Sequence, residues 1–157
     1  MHPRIADQAA MQQTGTQVLH RAFDGLSDDQ LRRRGSEVNN NMLWIAAHIT
    51  TVRIHMAHML GLEIVNPWGG RYNRGSQFGE VEAPAAAILA KFDEVSEALQ
   101  KRYPQLTDAE LGASSEGFPS TDKTVGGSIH FLTFHDAYHI GQLGFLRKQV
   151  GAANLVG

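Results

Sequence analysis

The chain contains no cysteine, which excludes disulfides, thiolate metal ligands and a protein thiol nucleophile. That absence suits a reducing cytoplasm, the compartment expected here, and it leaves any metal chemistry to His, Asp or Glu. Long apolar runs are missing too. The opening MHPRIADQAAMQQ has no apolar signal core, and later hydrophobic stretches are broken by His, Arg or Gly well short of the ~20 residues of a membrane span. A soluble, unprocessed protein with no membrane partner is predicted. No charge of one sign accumulates: the net charge is −2, and the one basic cluster, Arg32 to Arg34, follows the acidic pair Asp28 and Asp29. Without a basic stripe, nucleic acid is not an expected partner. Nor is there strict polar/apolar alternation long enough for a strand.

What is present is 42% hydrophobic content in 157 residues, enough for one domain, 1–157, to bury a core unaided. Period-3.6 patterning predicts four helical segments and hence an all-α fold. The first runs from about Ile5 to Asp24 on a stripe of Val18, Leu19, Ala22, Phe23 and Leu26. The second follows Asn39 to Asn41, which supply N-cap candidates, and stops at Gly61. The third opens with Pro84 at its first position and ends at Pro104. The fourth spans roughly Val125 to Val150, with Gly151 after it.

Two short stretches, LSDDQL at 26–31 and LTDAEL at 106–111, each place a Ser or Thr ahead of acidic residues, the mark of a capped helical turn. Each follows a helix and precedes a histidine-bearing one, as two related αα halves would. The segment 62–82, containing NPWGGRYNRGSQFG, is long against the two to eight residues usual between bundle helices. It matches no phosphate-binding fingerprint. A crossover that also covers a pocket mouth is the expected role.

Chemistry concentrates in HDAYHIGQL at 135–143, where His135 and His139 stand at i and i+4 and share one helix face. No acidic, histidine or cysteine residue follows His139, so a third protein ligand must come from earlier in the chain. The second helix carries Asn41, Trp44, Ile45, His48, Val52, His55 and Met59 on one apolar face. His48 and His55 are separated by roughly 10.5 Å along the axis, so at most one completes the site. His58, His2, His20 and His130 lack a partner at ligand spacing and read as surface or capped residues. On the fourth helix the face centred on the pair holds Ser128, Phe131, Leu132, Tyr138, Gln142 and Leu146. Inward-facing imidazoles in an apolar bundle cost free energy unless hydrogen-bonded or coordinated, and a shared metal relieves that cost.

NNNMLWIAAHI at 39–49 taken with HDAYHIGQL at 135–143 resembles the DinB-like superfamily, which includes YfiT-type proteins, over essentially the whole chain. The resemblance implies an up-up-down-down four-helix bundle with a long loop after its second helix. Within it, His48, His135 and His139 would hold a divalent metal, commonly zinc or nickel, in an open site. It also implies a homodimer and, in some members, transfer or isomerisation chemistry using the thiols bacillithiol, mycothiol or glutathione. Ile140 departs from the pattern, since many relatives carry a basic residue there.

Three neutral imidazoles leave the metal's full charge to act on a bound water or thiol. Tyr138 and Gln142 lie beside the ligands as donors to substrate or bound water, and His55 is a candidate base. Asp136 sits where a zinc peptidase has its Glu, but its short side chain and the missing downstream ligand suggest a surface or supporting role. The leading expectation is a metal-dependent enzyme that transfers a low-molecular-weight thiol to a small electrophile. Hydrolysis by metal-bound hydroxide and a non-catalytic metal-binding or stress-response module are the alternatives.

Overall fold

The computed structural model describes residues 1–76 and 81–156. Among these it is all-helical, with four long helices: α1 (Ala6–Phe23), α3 (Met42–Met59), α4 (Ala85–Arg102) and α6 (Val125–Gln149), plus the five-residue α2 (Asp28–Arg32) and α5 (Asp108–Gly112). Local chemistry sets the boundaries. Asn41 caps α3 by accepting from the Trp44 N–H at 2.8 Å, and Gly61, at φ 77°, ends it in a conformation open to glycine. Thr124 caps α6 through the Gly127 N–H. Pro84 is the N-cap of α4 rather than its first residue, a one-position shift from the sequence expectation. Both short helices close with reciprocal capping boxes, Ser27 with Gln30 and Thr107 with Glu110.

Polar contacts fix the directions. At one end of the bundle His130 reaches the Arg4 carbonyl, and at the other Arg147 donates to the carbonyls of Ala22 and Asp24, so α1 and α6 are parallel. Arg102 donates to the Leu60 carbonyl, joining the C-terminal ends of α3 and α4. Gln100 donates to the Ala9 carbonyl and Asp93 meets His20, so α1 and α4 are antiparallel. The all-α four-helix bundle is as expected, but its order is up-down-down-up rather than up-up-down-down. The reason lies in the connections. Residues 24–41 stay at one end and 103–124 at the other, each holding a short capped helix, which leaves only 60–84 to run back along the roughly 27 Å of an 18-residue helix.

Two apolar clusters fill the bundle. One gathers Leu19, Leu43, Ile49, Phe92 and Leu143 at the end where α1 finishes; the other gathers Ile54, Val95, Leu99, Ile129 and Leu132. A polar layer crosses the core at the level of Arg53, whose side chain is fully buried. Fourteen of the eighteen residues of α3 are buried, so this helix is central and has no single apolar face. The inner side of α6 runs through Ile129, Leu132, Thr133, Asp136 and Leu143, which rotates the histidine pair to the margin of the core. Among the described residues no helix is long and apolar enough to cross a membrane.

Candidate metal centre

His48 lies in the second turn of α3 and is buried, stacked on Trp44 with ring centroids 5.0 Å apart. The antiparallel α6 brings His135 and His139 against it, with centroids at 5.1 and 4.8 Å from the His48 ring. The three side chains are positioned to bind a metal ion: one ligand atom from each lies within 4.8 Å of the others. Two of the rings are oriented from behind. His48 Nδ1–H donates to the Tyr72 carbonyl at 2.6 Å, and His139 Nδ1–H donates to Gln142 Oε1 at 2.7 Å. Each therefore turns an Nε2 lone pair inward. Burial, followed by the neighbouring His135, depresses the His139 pKa to about 4. Burial also lowers that of His48, against the contact with Tyr72. Both rings are neutral at pH 7, the form that binds metal.

The third ring, in its neutral form, has contacts that a cation would relieve. His135 Nε2 lies 3.1 Å from His48 Nε2, while His135 Nδ1 faces Asp136 Oδ1 at 3.6 Å. A neutral imidazole has one N–H. If it sits on Nδ1, two lone pairs oppose each other at 3.1 Å; if on Nε2, a lone pair opposes the carboxylate. Both His135 Nδ1 and Asp136 Oδ1 are buried without a hydrogen-bond partner. A cation among the Nε2 atoms relieves both contacts, and imidazole–metal bonds of about 2.0–2.1 Å put neighbouring ligand atoms about 3.0–3.4 Å apart. The donor set fits a divalent ion.

The imidazoles form one wall of a cavity of about 910 Å³. Trp44, Phe131, Phe134 and Phe145 supply apolar surface, and Asn73, Arg74 and Gly75 of the long loop reach its rim. Among the described residues no Asp or Glu lines it. Residues 77–80 of that loop lie outside the described residues, so among the described ones the cover expected at the mouth is seen only at Asn73 to Gly75. His55, Tyr138 and Gln142 also line the cavity. Gln142 is already engaged: its oxygen accepts from His139 and its amide donates to the Tyr138 hydroxyl at 3.2 Å. Tyr138, 57% exposed, thereby keeps its own proton for a ligand. Partial desolvation and the nearby His58 lower the His55 pKa, so this imidazole too is neutral at pH 7.

Comparison with known families decides the assignment. A profile of the DinB superfamily matches residues 11–143. The chain belongs to the DinB superfamily. No curated protein matches it.

In this DinB-superfamily chain the remaining histidines make ordinary contacts: His20 with Asp93, His58 with the Ile64 carbonyl and His2 with the Arg4 N–H. Ile140, the departure from the pattern that the resemblance implies, packs partly buried against the core. Asp136 is not a surface residue. It is 2% exposed and ion-paired to Arg53, whose Nη2 lies 2.7 Å from Oδ2. Arg53 itself was not singled out by the helical pattern, although a lone arginine inside the apolar run ITTVRIHM was a signal that it has a buried partner.

Proposed function

We propose that the protein is a metal-dependent enzyme that transfers a low-molecular-weight thiol to a small electrophile, acting as a cytoplasmic homodimer. The observation that carries this reading is a cysteine-free three-histidine set opening onto a cavity of about 910 Å³, at the upper end of small-ligand sites and roomy enough for a thiol and an electrophile together. A zinc or nickel ion held by His48, His135 and His139 would supply the charge that lowers the pKa of a thiol placed next to it.

The chain's own groups support the rest. Among the described residues Arg74 has no ion-pair partner and the cavity rim carries no carboxylate, which suits it to an anionic group on either substrate. Both lining the cavity, Tyr138 would donate to an oxygen that gains charge on the electrophile, and His55 would be the base that takes up the thiol proton. Trp44 and Phe131 give the cavity an apolar wall for the substrate. Hydrolysis is less well served, because Asp136 is committed to Arg53 and does not line the cavity.

The test is a panel of glutathione, bacillithiol and mycothiol with small electrophiles, run beside ester substrates on zinc- and nickel-loaded protein. Thiol-dependent consumption of an electrophile, lost in His139→Ala, is the expected result. Turnover of esters without thiol would instead establish the hydrolase, and retained metal with no turnover the non-catalytic module. Light scattering at twice the chain mass is expected for the dimer.

A further inference from the structure

We infer that Asp136 is a positioning residue for His135, and that Arg53 sets it from the centre of the bundle. The three imidazoles differ in what stands behind them: a backbone carbonyl for His48, a carboxamide oxygen for His139 and a carboxylate for His135. Only the last has a charged partner. Asp136 Oδ2 is taken by Arg53, through Nε at 2.8 Å and Nη2 at 2.7 Å, which leaves Oδ1 unpartnered and aimed at the equally unpartnered His135 Nδ1. Two buried atoms that lack partners and face each other across 3.6 Å form a hydrogen bond once the proton sits on Nδ1 and the ring closes on its metal.

Arg53 is built in to hold that carboxylate. Its Nη1 donates to Thr16 at 2.9 Å and Ser96 at 2.6 Å, its Nη2 to the Gln12 carbonyl at 3.3 Å, and its guanidinium lies 4.4 Å from the Phe92 ring centroid. Through one side chain, α1, α3, α4 and α6 all bear on the orientation of Asp136. The arginine also makes a buried carboxylate tolerable before any metal arrives. The carboxylate behind Nδ1 thus favours the tautomer of His135 that carries its proton there and leaves Nε2 free for the metal.

The substitution Asp136→Asn separates this role from mere packing. Arg53 offers only donors, so the carboxamide oxygen must turn to it, presenting the NH₂ group to His135 Nδ1. That nitrogen must then accept, and the proton moves to Nε2, where it blocks the metal. Two-bond ¹H–¹⁵N spectra of the metal-free protein at pH 8 should show His135 with its proton on Nδ1 in the unaltered chain and on Nε2 in D136N. Competition with a chromophoric chelator should show Zn²⁺ affinity falling about 10- to 100-fold in D136N. The inference is overturned if His135 carries its proton on Nε2 in the unaltered chain, a measurement that needs no variant to fold. It is equally overturned if folded D136N binds Zn²⁺ within twofold of the original. It rests on the three-histidine site and not on the thiol reaction, since neither readout involves turnover.

Discussion

At the scale of residues, the site works because each imidazole is told which nitrogen to present. Tyr72 and Gln142 accept the Nδ1 protons of His48 and His139, so tautomer and ring orientation are settled before a metal binds. Keeping these rings neutral has a cost in acid. The folded pKa of His139, about 4, and the lowered one of His48 lie below the 6.5 of an unfolded histidine, so only the unfolded chain takes up these protons as pH first falls. Their contribution to stability is complete above pH ~6.5 and is lost as pH drops toward ~4. The urea midpoint of metal-free protein should decline between pH 7 and pH 5, and less steeply in His139→Gln. An equal decline in both would remove these rings as the cause. The ligand residue types and the i, i+4 pair were legible in the sequence. The choice between His48 and His55 needed the family resemblance, and the roles of Tyr72 and Arg53 needed coordinates, because a backbone carbonyl and a buried ion pair leave no periodic trace.

At the scale of elements, sequence reading succeeded where local chemistry acts and failed where packing does. Caps and stops are local: Asn41, Gly61 and both capping boxes lie where the pattern put them, and α6 opens at Val125 as expected. Replacing Asn41 by Ala removes the acceptor for the Trp44 N–H and should destabilise the protein by about 1 kcal/mol, read by urea denaturation. Because Trp44 stacks on His48, the same variant should also loosen the site; unchanged stability would show that the cap is dispensable. Rotation is not local. The helix α6 is apolar enough on several sides that its pattern does not say which side faces in, and the pair His135 and His139 proved to sit beside the core rather than within it. For α3, burial on nearly all sides erased the facial signal altogether.

At the scale of the whole molecule, one lengthwise crossover explains both the topology and the pocket. The up-down-down-up order forces residues 60–84 back along the bundle, and on the way Tyr72 supplies the carbonyl behind His48 while Asn73 to Gly75 form part of the cavity rim. The pairs α1–α3 and α4–α6, each joined by a short capped helix, have the order expected of two related halves, and the histidines come from the second helix of each. Helix number was readable from periodicity. Direction was not, since it depends on which connection is long enough to return.

The central claim is that these two halves meet around one divalent ion, and the most direct test is metal content by elemental analysis of the natively purified protein, joined to Zn²⁺ uptake by His139→Ala. One equivalent of zinc or nickel per chain, with uptake lost in the variant, is the predicted result. Less than a tenth of an equivalent, together with uptake unchanged by the substitution, would contradict it.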